Sequence, residues 1–583
     1  MLSQISEKTM HRVRWGLALG WLILIASLFY DPVTPMLTMP ENTLSPFRLN
    51  PSIYLDPERC VKIREQCVPQ RPYSLTVLFW WAMIVPAGIL ILMTLGHEFW
   101  RRICPLSFFS QIPRALGIQR QRKVIDSVTQ EVRRELVTIG EQSWLGQNHL
   151  YVQFGLFVLG LGLRILFVNG HRASLGYFLI GTILCAILIG YLYAGKSWCQ
   201  YFCPMAPVQM VYTGPRALLG SQATKESPGS KSGRSHTSLS QSMCRTVSPS
   251  GAEQSACVAC KMPCLDIDAE KTYWQELNKP GRRLIQYGYL GMVIGFYVYY
   301  FLYAGNWDYY FTGAWTHEEE LLTRIFDPGF YLYNQVIPIP KAIAVYITYG
   351  VLVAITWSIG VILEKLYRRY QVWRGQIISA EQAQHVIFTL FTTVSFWTFF
   401  SYGARPSLNR LPTTLVLGFN GLVVLIGAIW MFRTIGRTRA QYEREQMANS
   451  LRKQVQRLQL DPGILQGRSL DDLSPGELDL VVKIVPRLSH QLRLQTYVSV
   501  LQDLIEQGTT HASRSFDFCQ HLRQELQLAD EDHVQAMETI TQNSPEILVA
   551  PRWQSFISQM QDAETLAKTI VRSRVRKGVG SRE

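Results

Sequence analysis

Eight apolar stretches punctuate this 583-residue chain, at roughly 15–30, 75–95, 150–168, 175–194, 287–304, 342–363, 386–402 and 413–432. A hydrocarbon core of about 30 Å is crossed by about 20 helical residues. Inside lipid the backbone must satisfy its own hydrogen bonds, and an α-helix does so within one segment. The stretches therefore predict a mainly α, polytopic transmembrane helical bundle of about eight spans. The first and seventh are the shortest. Lys8, Arg12 and Arg14 precede the first, which raises a signal peptide, but no small-residue cleavage site follows before Tyr30-Asp31-Pro32.

Charge sets the expected orientation. Lys and Arg number 57 against 43 Asp and Glu, a net +14. The excess clusters in alternate loops, as membrane topology requires, and so points away from nucleic-acid binding. Arg101, Arg102, Arg114, Arg120, Arg122, Lys123, Arg133 and Arg134 follow the second stretch. Lys365, Arg368, Arg369 and Arg374 follow the sixth, and Arg433, Arg437 and Arg439 the eighth. Eight spans put all of these on one face with both termini, and the positive-inside rule makes that face cytoplasmic. The opposing loop 305–341 is acidic, with Asp308, Glu318, Glu319, Glu320 and Asp327.

On that topology seven of the eleven cysteines lie on the reducing side, where disulfides are rare and metal ligation is the alternative. Three belong to a duplicated unit. Residues 195–207 read GKSWCQYFCPMAP and residues 96–107 read GHEFWRRICPLS. Laid together, glycine meets glycine, Trp100 meets Cys199, Cys104 meets Cys203, and Pro105 meets Pro204. Cys199 and Cys203 are four apart and share a helical face. If the copies pack together, Cys104, Cys199 and Cys203 converge. They could hold a second cluster with His97 or solvent as fourth ligand, act as a redox dithiol, or relay a soft metal ion. Interfacial packing is the plain alternative, because cysteine is a good small buried residue.

The remaining four lie in CRTVSPSGAEQSACVACKMPCLDID, residues 244–268. Cys257, Cys260 and Cys264 follow C-x2-C-x3-C spacing, with Cys244 upstream. Four thiolates are the complement of one [4Fe–4S] cluster, held in a small ferredoxin-like cytoplasmic loop. Zinc also takes four cysteines, although structural zinc usually pairs two C-x2-C knuckles, and unligated thiols are the third option. The compact bacterial run C-x2-C-x2-C-x3-C-P is not matched in full, so Cys244 must supply a ligand from a distance. Residues 217–242, rich in Ser, Gly and Lys, read as a tether.

Polytopic spans, a C-x3-C-P motif after a span, and this cysteine loop together resemble the NapH/NosR/CcoG family of membrane-bound polyferredoxins over about residues 75 to 270. That family typically carries two ferredoxin-type runs and often two C-x3-C-P motifs. This chain has one reduced run, one intact motif and one half motif. The resemblance implies an electron-transfer protein that serves a respiratory or metal-handling partner, more than a catalyst with a substrate of its own. Two rival classes stay open: a redox or metal sensor acting through the C-terminal tail, and a metal-handling assembly factor.

The chain thus divides into a bundle at 1–216, a tether and iron–sulfur loop at 217–286, a second bundle at 287–432 and a helical docking or regulatory region at 433–583. Within that last region, Ser474-Pro475-Gly476-Glu477 reads as a helix start and 477–505 has helical periodicity. His511, His521 and His533 read as solvated. Cys60 and Cys67 read as an external disulfide. Val124, Val128, Val132 and Leu136 read as one stripe of an interfacial helix over 120–139. His97, His149, His385 and Arg164 read as snorkelling side chains, and the aromatics of 306–320 as an interfacial belt.

Overall fold

The computed structural model describes residues 6–49, 60–68, 71–125, 132–220, 245–247, 253–255, 258, 260–261, 264–266, 268–318, 322–446, 490–507, 520, 522–524, 526 and 528–543. The chain is mainly helical and divides into two compact units, with the boundary after Thr438. Seven helices of the first unit are long and apolar enough to cross a membrane: α1 (Glu7–Phe29), α2 (Thr76–Thr94), α3 (Trp144–Val168), α4 (Arg172–Leu192), α6 (Lys341–Trp373), α7 (Ala380–Gly403) and α8 (Thr413–Ile435).

The remaining apolar stretch, 287–304, forms α5 (Arg282–Ala304), which is 23 residues long but less apolar. The reason is packing. Six tyrosines lie along α5, at 287, 289, 297, 299, 300 and 303, and all are buried. A helix enclosed by other helices keeps tyrosine wherever the hydroxyl finds a partner. The Tyr299 hydroxyl donates to the Gly329 carbonyl at 3.1 Å, and that of Tyr297 to Phe399 at 3.3 Å. Tyr287 donates to the Glu364 carboxylate of α6.

At the Ala304 end of α5 sits the expected Cys60–Cys67 disulfide. It closes a hairpin of Lys62–Ile63 and Gln66–Cys67, whose Arg64 amide donates to the Ala304 carbonyl at 3.0 Å. Arg164 does not snorkel. It is buried, donates to Asn169 Oδ1 at 2.8 Å, and lies 3.8 Å over the Trp81 ring and 4.5 Å over Phe296. Tyr309, Tyr310 and Trp315 of the aromatic loop are likewise buried and pack around Tyr300 instead of forming a belt.

Residues 120–139 depart from expectation. The described part holds two antiparallel strands, Gln121–Ile125 paired with Val132–Leu136, in which Val124 faces Arg133. The β-branched residues that suggested a helical stripe also favour strands. Val128 lies outside the described residues.

In the second unit, helices His490–Gln507 and Asp530–Asn543 pack through buried Tyr497, Val500, Leu501, Ala536 and Ile540. His533 is half-buried and 2.7 Å from the Tyr497 hydroxyl, so it is not a solvated residue. The Ser474 helix start, His511 and His521 lie outside the described residues.

Candidate functional site

The duplicated unit is real in three dimensions. Gly96 and Gly195, which follow α2 and α4, both take left-handed backbone with φ of 82° and 73°. A helical turn follows each. Cys104 and Cys203 then turn extended, with ψ of 117° and 119°, as the residue before a proline must. The copies differ in winding. The Cys104 amide closes an α turn onto the Trp100 carbonyl at 2.9 Å, whereas Cys203 closes a wider π turn onto Trp198 at 2.8 Å. Such π turns are frequent at functional sites.

Matching positions of the two copies reach for one target. His97 and Lys196 are equivalent, and both face the buried Asp266: His97 Nε2 is 3.7 Å from its carboxylate and Lys196 Nζ 3.5 Å. Arg101 and Gln200 are equivalent. Arg101 donates to Asp266 Oδ1 at 2.9 Å and to the Cys199 carbonyl at 3.4 Å. Gln200 Nε2 lies 3.7 Å from Cys264 Sγ, within hydrogen-bonding range for sulfur. At the following position Tyr201 donates to the Cys260 carbonyl at 3.1 Å. Gly195 lies directly under Cys260: a Cβ there would stand 2.7 Å from Cys260 Sγ. The Cys260–Asp266 segment is thus seated on both Cys-Pro motifs.

Two further buried carboxylates continue the anchorage. Glu276 Oε1 pairs with Lys261 at 3.0 Å and Lys279 at 3.2 Å, and His149 Nε2 lies 2.9 Å from Lys261 Nζ. Glu270 pairs with Arg216 at 3.2 Å and with Arg437. His385 bridges the Tyr273 hydroxyl at 2.8 Å and the Thr434 carbonyl at 2.9 Å. His97, His149 and His385 are therefore buried partners of this segment and not snorkelling side chains.

The electrostatics follow from burial and these partners. Burial alone would raise Asp266, but Arg101 and Lys196 hold it well below the usual carboxylate range. Glu276 is likewise held down against its burial, chiefly by Lys261. Burial and the Arg101 charge push His97 down to about 4, so it is neutral at pH 7. Burial and the neighbouring Cys199 push the Cys104 thiol up to about 11. Burial raises Cys203, reinforced by Cys199 and Cys104, and raises Cys264, reinforced by Asp266 and Cys260.

Of the seven candidate thiols, Cys104, Cys199, Cys203, Cys260 and Cys264 gather in one region, and the Arg101 charge acts on Cys104, Cys199, Cys203 and Cys264. Cys244 and Cys257 lie outside the described residues. Among the described residues no three His, Cys, Asp or Glu side chains are placed to hold a metal ion. The described half of the Cys244/Cys257/Cys260/Cys264 set nevertheless suits an anionic thiolate-bound group. Its ligand atoms are soft, Gln200 offers a donor to one sulfur, and two buried cations stand against the single carboxylate of Asp266. Asp266, Arg101, Lys196 and Gln200 were not singled out from the sequence as site residues. The one signal for the last three is that they fill polar positions of the duplicated unit.

No protein-family model, curated protein or solved structure matches the chain.

Proposed function

We propose that this protein is a membrane-anchored iron–sulfur electron carrier, with Cys244, Cys257, Cys260 and Cys264 holding one [4Fe–4S] cluster in a ferredoxin-like loop. Such a cluster, when bound, supplies one-electron transfer. The chain's own residues bind it through thiolates, seat the loop and bury Cys260. The observation that carries the reading is the seating of Cys260 and Cys264 on the bundle beneath a net positive set of side chains. α5 serves as the eighth span, and the basic loops put the site and both termini on the cytoplasmic side. Membrane lipid is the surrounding partner, and a redox protein is the partner at the cytoplasmic face. The alternative second site at Cys104, Cys199 and Cys203, as a cluster or metal ion, has no comparable support.

A carrier must cycle. Anaerobically purified protein should bleach in the visible on reduction and recover fully when mixed with an electron acceptor, over repeated rounds. Cluster loss on the first cycle, with tail conformation following the loss, would instead favour a sensor.

A further inference from the structure

The duplicated Cys-Pro units invite reading as ligand sets, because each ends in a cysteine. Their contacts point elsewhere. Among the described residues, the side-chain hydrogen bonds and ion pairs from both copies to the cysteine segment come from the polar positions between glycine and the Cys-Pro step. The first copy contributes His97 and Arg101, and the second Lys196, Gln200 and Tyr201. Equivalent positions 97 and 196 converge on one carboxylate, Asp266. The second pair, 101 and 200, divides the work: Arg101 takes Asp266, and Gln200 turns to the sulfur two residues earlier.

The geometry that achieves this depends on the Cys-Pro step. A proline after the cysteine forces it extended and ends the helical turn, so the polar side chains one turn earlier stand at the mouth of the bundle. In the second copy the turn is π-wound, from Trp198 to Phe202. Gln200 lies in its middle. The Gln200 carbonyl is held by Gln153 Nε2 at 3.0 Å, which fixes its backbone from the α3 side. Its amide nitrogen is left for Cys264.

We propose that the two Cys-Pro units are a clamp for the ligand loop, with Gln200 the positioning residue that donates a hydrogen bond to the Cys264 sulfur and Asp266 the anchor both arms grip. Cys104, Cys199 and Cys203 then serve as packing residues of the clamp and bind no metal of their own. This rests on the reading that Cys264 is a cluster ligand. A donor to a ligand sulfur stabilises the more negative, reduced form and raises the potential. Its loss lowers the potential without removing a ligand.

The test uses the full chain in detergent or nanodiscs. Gln200→Leu should keep the wild-type iron content per chain and shift the midpoint potential to a more negative value. Gln200→Glu, which sets a charge beside the sulfur, should shift it further in the same direction. A purely structural role would not order the two variants in this way. Cys199→Ser and Cys203→Ser should retain wild-type iron per mole of purified protein. Loss of iron in either, or potentials of the two Gln200 variants equal to wild type, overturns the proposal.

A second arm needs no cluster. In apo-protein, Asp266→Glu, which keeps the charge that raises the Cys264 thiol but displaces the carboxylate from Arg101 and Lys196, should make Cys264 alkylate about tenfold faster by peptide mass mapping, the factor a lost charged hydrogen bond gives, while Cys185 is unchanged. Equal Cys264 rates in variant and wild type reject the clamp. If wild-type protein binds no iron at all, the cluster reading fails, and the alkylation arm still decides whether the clamp exists.

Discussion

Gly195 is the residue on which the seating turns, because both its backbone and its missing side chain are required. Its φ of 73° strains any L side chain by roughly 1–2 kcal/mol, and a Cβ would also press into Cys260. Gly375 has a φ of 76° with open space around it. Gly195→Ala should therefore lower the thermal midpoint, and iron retention, well beyond Gly375→Ala, and equal effects would remove Gly195 from the seating. His97 supplies a pH dependence. Its folded value of about 4 lies below its ordinary 6.5, so the fold prefers the neutral ring. That stabilisation is complete above pH 6.5 and is lost as pH falls from 6.5 toward 4, before Asp266 protonates. Thermal melts over this range should show a falling midpoint, and His97→Gln should flatten the fall. An unchanged slope in the variant would place the acid sensitivity elsewhere, for instance at His317, which burial also depresses.

Elements were legible in proportion to how directly lipid or a repeat imposed them. Seven apolar stretches became seven apolar helices because a helix facing hydrocarbon has little freedom in composition. α5 was legible as a helix but not as the enclosed one, since its tyrosines are explained only by neighbours that accept their hydrogen bonds. The paired strands 121–125 and 132–136 are not legible as strands, because a valine every fourth residue satisfies both a helical stripe and one face of a strand. The Cys-Pro duplication was visible in sequence, yet its purpose was not. Arg101 and Lys196 look like ordinary topology-setting charges until Asp266 is found between them, 165 residues from Arg101. Packing of α5 against α6 gives a prediction at this scale. Gly360 faces the Tyr287 ring with no room for a Cβ, whereas Gly350 of the same helix meets nothing within 4 Å. Gly360→Val should sharply reduce the amount of folded protein in the membrane, and Gly350→Val should not. Equal accumulation of the two would mean that the α5–α6 contact contributes little.

Across the whole molecule, the first unit joins a helical bundle to a cysteine segment and the helix after it, held through three buried carboxylates, Asp266, Glu270 and Glu276. Residues from Arg439 onward form a second unit. The basic loops predict that a reporter after residue 583 is cytoplasmic and one within 305–341 is external. An external C-terminus would leave the thiols on the oxidising side and remove the ground for metal ligation. The central claim is that the cysteine segment holds a cluster, and one measurement addresses it most directly: iron and acid-labile sulfide counts with an EPR spectrum of the reduced, anaerobically purified protein, for wild type and Cys260→Ser. The account predicts about four irons and four sulfides per wild-type chain with a reduced-cluster signal, and loss of most of both in the variant. Stoichiometric zinc in place of iron, or full iron retained by Cys260→Ser, would contradict it.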